Sequence, residues 1–266
     1  MMTGIWKKGL ALSLALAMAL SFAGCGGTEE TLTVGTSADY PPYEFIQLDA
    51  EGNETIVGAD IELAKIIAEK LGMKMELKNM SFDGLLGGLA EGKFDMVIAG
   101  LTVDPKRKVL FSDNYNTREQ TVIIKAADAD QYTGLKDLEG KKVAGQSGTV
   151  QQTLAEEYAG ETATAIQQFP DMIMMLKAGK LDAMIADDDV AQIYIQANDD
   201  LMAAPIQIDY ENADVAIAFQ QDDQELCDKV NAVLAELKED GTIDGLMADA
   251  QALAGQIEKE NASKTE

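Results

Sequence analysis

From residue 32 onward the chain alternates short β-rich runs with amphipathic helical stretches, and this order restricts its fold more than any other feature. Residues 60–71 place Leu63, Ala64, Ile67, Ala68 and Leu71 on one helical face, with Glu62, Lys65 and Glu69 opposite and Gly72 at the end. Such a stripe is the mark of a helix that buries one side and stops at a glycine. β-rich runs at 32–36, 73–78 and 95–99 flank this helix and a second at 82–91. Strands separated by helices pair in parallel through right-handed crossovers, so the expectation is an α/β architecture.

A second series follows. Residues 121–125, 142–145, 163–167 and 182–186 read as strands, and 149–158, 170–178 and 190–196 as helices. The chain returns through a strand-like run at 214–219 and ends in helices at 223–238 and 242–252, then a polar, frayed tail. The segments 36–43, 100–107, 146–150 and 187–189 each follow a strand directly, where open α/β sheets place ligands. The pattern predicts two lobes facing across a cleft. The first spans 32–120 plus 214–255, the second 121–213, and 256–266 is the tail.

The first residues are read as a sorting signal. Lys7 and Lys8 precede an uncharged apolar run at 10–20, and Phe22-Ala23-Gly24-Cys25 presents small residues at a cleavage point. Small residues directly before a cysteine, followed by polar Gly26-Gly27-Thr28-Glu29-Glu30, resemble a bacterial lipobox, with Phe22 where leucine is usual. The resemblance implies removal of 1–24, lipidation of Cys25 and a flexible tether at 25–31. The product is expected at the cell membrane, lipid-anchored and facing the extracellular or periplasmic side. Cys227, within a helical apolar pattern, is then read as a small core residue.

The chain has 46 acidic against 21 basic residues and a formal charge of −25, which repels nucleic-acid phosphates and anionic lipid. It contains no histidine, so histidine triads, histidine metal sites and histidine proton shuttles are excluded. No metal site, cofactor or catalytic residue is expected. The acidic run Asp187-Asp188-Asp189 reads as loop charge, because adjacent side chains rarely converge on one ion.

Only two arginines are present, Arg107 and Arg118. In Leu101-Thr102-Val103-Asp104-Pro105-Lys106-Arg107, aspartate before proline predicts a helix start, with Asp104 as N-cap and Pro105 at the first helical position. Arg107 then falls at the third helical position, beside free backbone amides, where an anion would be held.

Several motifs in order carry a resemblance. Gly35-Thr36-Ser37-Ala38-Asp39-Tyr40-Pro41-Pro42-Tyr43-Glu44-Phe45 opens it and Val57-Gly58-Ala59-Asp60-Ile61-Glu62-Leu63 follows. Phe82-Asp83-Gly84-Leu85, Phe111-Ser112-Asp113, Gly145-Gln146-Ser147-Gly148-Thr149, Asp182-Ala183-Met184-Ile185-Ala186-Asp187 and Asp240-Gly241-Thr242 continue to the end. Together they resemble bacterial extracellular solute-binding family 3, the amino-acid-binding proteins of ABC importers. The resemblance implies a type II periplasmic-binding-protein-like fold, with two α/β lobes joined by a two-strand hinge, a monomer whose partners are an amino acid and a permease.

The resemblance also implies roles. Arg107 grips the ligand α-carboxylate, with Thr102 and the amides near Thr149 and Val150. Asp187 holds the α-ammonium, with the Gly100 carbonyl and the Thr102 hydroxyl as further acceptors. Tyr40 and Phe82 wall the ligand side chain, while Ser37 and Gln146 sense it. A polar ligand, basic or amide, is expected, since Asp39 and the overall acidity favour a cation. The alternatives are a cyclohexadienyl dehydratase-like enzyme on the same fold, with Asp187 or Glu44 as acid, and a ligand sensor acting through a partner. The segment between Arg107 and Phe111 is about two residues shorter than usual, and Asp189 replaces a common proline.

Overall fold

In a computed structural model, the structure describes residues 30–210 and 214–265. The signal, the cleavage point, Cys25 and most of the tether lie outside the described residues. Strand β1 (Thr31–Thr36) leads through β2 (Asp39–Tyr40), β3 (Glu44–Leu48) and β4 (Glu54–Val57) to helix α1 (Ala59–Lys70). Then come β5 (Lys74–Asn79), α2 (Phe82–Ala90), β6 (Met96–Val97), β7 (Leu110–Phe111) and β8 (Asn116–Thr117). The second series holds β9 (Gln120–Lys125), β10 (Val143–Gln146), α3 (Val150–Ala159), β11 (Thr164–Ile166) and α4 (Phe169–Lys177). β12 (Ala183–Asp187), α5 (Asp188–Ala197) and β13 (Leu201–Ala203) complete it. The return runs through β14 (Asp214–Val215), β15 (Ala218–Phe219), α6 (Gln224–Glu239) and α7 (Thr242–Thr265).

Two five-stranded sheets result, in the orders β5-β1-β6-β15-β7 and β11-β10-β12-β9-β13. β1 is parallel to β5 and β6, and β10 to β11 and β12, as helix-connected strands require. β15 and β9 run antiparallel to their neighbours because the chain enters each sheet there from the other lobe. Between the sheets β8 and β14 form a two-stranded ribbon, with Thr117 opposite Asp214 and Asn116 opposite Val215. This is the type II architecture that the motifs implied.

The apolar stripes explain the packing. In α1, Leu63, Ala64, Ile67 and Ala68 are buried, while Glu62 and Lys65 pair at 2.7 Å on the outer face. In α6, Cys227, Val230, Val233, Leu234 and Leu237 are buried at the same spacing. Cys227 is thus a core residue, its Sγ 3.6 Å from the Phe111 carbonyl.

Three expectations are corrected. No helix follows Pro105: Asp104 caps one turn only, accepting from the Lys106 amide at 2.9 Å and, by its carbonyl, the Arg107 amide at 3.0 Å. The chain must be extended again at Leu110, which leaves no length for a helix. The tail is not frayed: α7 runs on to Thr265, because Ala254 is buried and Leu253 and Ile257 pack with it against Phe45 and Ile193. The run at 214–219 is two short strands, β14 in the ribbon and β15 in the first sheet.

Among the described residues, no helix is long and apolar enough to cross a membrane.

Candidate functional site

The strand ends of the two sheets face each other, and side chains cross between them. Tyr40, after β1, donates from its hydroxyl to Asp187 Oδ2 at 2.6 Å. Asp187 ends β12, and its other oxygen accepts from Gln120 Nε2 at 2.6 Å. Tyr43 donates to Asp189. Asp39 Oδ2 accepts from Gln146 Nε2 at 2.8 Å and from the Phe169 amide at 2.9 Å.

Arg107 also spans the cleft. Its Nη1 donates to the Thr102 carbonyl at 3.0 Å and its Nη2 to the Gly148 carbonyl at 3.0 Å, with the guanidinium carbon 5.8 Å from the Phe82 ring centre. Partial burial pulls its pKa below the usual arginine value, with nearby Asp104 opposing. On the second lobe, Thr149 caps α3, its Oγ1 accepting from the Gln152 amide at 3.2 Å. The Val150 and Gln151 amides therefore stand in the first turn of a genuine helix, the polarity that suits an anion. This helix, not a turn at Pro105, supplies the dipole expected near Arg107.

Arg118 is the residue that sequence reasoning left unassigned. It lies between β8 and β9, its side chain only 3% exposed, with Nε 3.0 Å from Asp187 Oδ1. Its Nη2 donates to the Gly100 carbonyl and lies 3.3 Å from Thr102 Oγ1, and its guanidinium sits 4.6 Å from the Tyr43 ring centre. Burial opposes its charge most strongly, but Asp187, Tyr43, Tyr40 and Asp189 together outweigh it and its pKa is pushed up. Burial lifts the Asp187 carboxyl, while Arg118, Tyr40 and Gln120 favour its ionised form. Both of its oxygens face donors, so it acts as an anionic acceptor. The scarcity of arginine was the one sequence signal that pointed here.

A small cavity of about 10 Å³ remains at the centre of these contacts. Nine of the ten residues expected to bind ligand line it: Tyr40, Phe82, Gly100, Thr102, Arg107, Gln146, Thr149, Val150 and Asp187. Ala99, Arg118 and Gln151 complete the lining. Ser37 is not among them; its hydroxyl turns to Asp39 Oδ1 at 3.1 Å. Asp39 does not face solvent either. It is 7% exposed, and its carboxylate accepts from Ser37, Gln146 and the Phe169 amide. A larger cavity of about 690 Å³ lies outside the cleft, between residues 38–46, α4, α5 and α7, and contains neither arginine.

The loop after β6 is held from beneath. Gly100 adopts φ +49°, and its amide donates to Asp60 Oδ2 at 2.7 Å. Tyr115 donates to Asp60 Oδ1 at 2.8 Å. Fully buried Glu44 lies beside Asp60; burial first, then that neighbouring carboxylate, hold it well above the usual range.

Comparison with known proteins agrees with this architecture. The model for bacterial extracellular solute-binding proteins, family 3, matches residues 32–249. The arginine-binding extracellular protein ArtP of Bacillus subtilis (strain 168) is 36% identical over 253 residues, covering 90% of this chain and 96% of the relative. The L-arginine-bound amino acid ABC transporter substrate-binding protein AbpA of Streptococcus pneumoniae Canada MDR_19A superposes with a TM-score of 0.81 at 34% identity. That alignment covers 84% of this chain and 95% of the other. AncCDT-1, an ancestral amino acid-binding protein described as a precursor of cyclohexadienyl dehydratase, superposes with a TM-score of 0.74 at 35% identity, covering 82% and 94%. With this coverage, motif order and two-lobed topology, the chain belongs to the bacterial extracellular solute-binding proteins, family 3.

Proposed function

We propose that this protein captures a polar L-amino acid, with a basic or amide side chain, between its lobes and delivers it to an ABC permease. The observation that carries the reading is the opposition of charges across the cleft. Arg107 and the α3 N-terminus offer cationic partners for a carboxylate, and Asp187 offers an anionic one for an ammonium. A zwitterion leaving water needs both of its charges met, since an unpaired buried charge is very costly. The groups come from both lobes, so capture is coupled to closure about the β8–β14 ribbon, between a lobe of 32–120 plus 214–255 and one of 121–213.

The relatives named for arginine support a basic side chain, although Asp39, held by Gln146 and Phe169, is not among the residues that line the cleft cavity and so does not contact it. Tyr40 and Phe82 are the aromatic walls in this reading, and Gln146 lines the cavity while its Nε2 donates to Asp39. Calorimetric titration of the mature protein with each common amino acid tests the proposal. Heat from one of them, lost at least tenfold in affinity in Arg107→Ala, supports it; heat from none overturns it.

The dehydratase alternative gains nothing from the geometry. Glu44 lies outside the cavity lining, and Asp187 faces the Arg118, Tyr40 and Gln120 donors that favour its ionised form, so neither is placed to give a proton to a leaving hydroxyl. Lipid anchoring at Cys25 completes the proposal. A tethered receptor is kept at high effective concentration near its permease, and mass spectrometry of the membrane-extracted protein checks the thioether adduct.

A further inference from the structure

We infer that Arg118 is a tethered cation that occupies the seat of the ligand's α-ammonium and so sets how strongly the protein depends on that group. This rests on the amino-acid reading above. Three acceptors of different chemistry meet at one place: the Asp187 carboxylate, the Gly100 carbonyl and the Thr102 hydroxyl. An ammonium has three donors and would use all three acceptors. In this chain one guanidinium already sits against all three, its Nε in ion-pair contact with Asp187 at 3.0 Å and its Nη2 donating to Gly100 and Thr102, the latter at 3.3 Å.

Charge and space make the two cations exclusive. Arg118 and Asp187 side chains are 3% and 1% exposed, so their charges balance in a poorly screened interior. A second cation beside them is repelled by Arg118 over a few ångströms at low effective dielectric. The cavity they border, about 10 Å³, is at the lower limit for a single water. An amino acid therefore enters with its ammonium only as Arg118 withdraws.

The seat also fits a guanidinium imperfectly. Nη1 of Arg118 has no hydrogen-bond partner among the described residues, and Nε approaches Asp187 as an ion pair without an aligned hydrogen bond. Arg118 lies between β8 and β9, on the segment that crosses from one lobe to the other. Opening of the lobes thus moves the anchor of this side chain relative to the Gly100 loop. Asp189, on the neighbouring turn, offers the released guanidinium another anion.

The test compares L-arginine with 5-guanidinopentanoate, which lacks only the α-ammonium, by calorimetry on the mature protein and on Arg118→Ala. The native protein is expected to prefer L-arginine by less than tenfold, because its ammonium gains only what Arg118 gives up. Arg118→Ala is expected to bind L-arginine at least tenfold tighter and to discriminate against the analogue at least tenfold more. Arg118→Gln, which keeps neutral donors for Gly100 and Thr102, is expected to shift the same way if the alanine variant does not fold. A hundredfold preference for L-arginine in the native protein overturns the inference without any variant. Equal or weaker L-arginine binding by a folded Arg118 variant overturns it while leaving amino-acid capture standing. No heat with L-arginine from any of the proteins overturns it too, and the wider amino-acid panel then decides the functional reading separately.

Discussion

The Tyr40 hydroxyl donates to the Asp187 carboxylate at 2.6 Å, joining the end of the first sheet to the end of the second across 147 residues of sequence. Tyr40 also stacks on Tyr43 at 6.3 Å and meets Phe169 edge-on at 5.1 Å. A ring wedged between lobes and bonded to a buried anion should matter to both stability and closure. Tyr40→Phe keeps the packing and removes this bond together with the one the hydroxyl accepts from the Asp187 amide at 3.2 Å. We expect it to cost about 2 kcal/mol, the range for a hydrogen bond to a charged group, in denaturant unfolding. An unchanged midpoint would show that the bond is not a clasp.

The Arg118–Asp187 pair should be strongly non-additive. Removing one member strands the other charge in the interior, and each of Arg118→Ala and Asp187→Ala is expected to lose about 3–5 kcal/mol. The double variant leaves no stranded charge, so its loss should fall well below the sum of the two. Additive losses in a double-mutant cycle would mean that the ion pair contributes nothing specific.

Asp189 gives a pH signature. Burial, opposed by Arg118, raises its pKa from 3.8 to about 6 in the folded chain. The folded state therefore binds a proton that the unfolded state has already released between about pH 4 and 6. This group's contribution to stability accordingly falls as pH rises through that window and is regained on acidification, by up to ~3 kcal/mol. Comparing the melting temperature of the native protein with that of Asp189→Asn from pH 4 to pH 7 checks it: the difference between them should change across this window. A constant difference would remove Asp189 from the account.

Gly100 is a backbone requirement. Its φ is +49°, and an added Cβ would lie 3.2 Å from both Arg118 Nη1 and Tyr43 Cγ. Gly100→Ala is expected to cost about 1–2 kcal/mol for the left-handed conformation, and to displace the Arg118 guanidinium. Thermal unfolding reads the first effect, and altered L-arginine affinity the second.

The sequence carried the amphipathic helices plainly. α1 and α6 have apolar stripes at helical spacing, and those residues are buried for the reason the spacing gives. Thr149 was legible as a helix start and caps α3 in the structure. Two-residue strands such as β2, β7 and β8 were not separable from loops, because so short a run has no periodicity of its own. The turn after Pro105 carried a correct local start signal, yet Leu110 and Phe111 had to enter the first sheet, and that demand prevailed. Beyond Ile257 the polar composition suggested fraying, but contact of the preceding turns with α5 and the β2–β3 hairpin kept the helix going.

What the sequence determined by itself was the architecture and the membership of the site. Period-3.6 and β-rich runs follow from side-chain spacing along one chain, and the ordered motifs named nine residues that the fold gathers around one cavity. What only the tertiary structure decided was the charge pairing within that site. Asp39 spends its carboxylate on Gln146 and Phe169, Ser37 turns away with it, and Asp187 meets Arg118 where a ligand cation was expected. Electrostatic partners are chosen by distance and burial in three dimensions, and neither can be read from positions 69 residues apart along the chain.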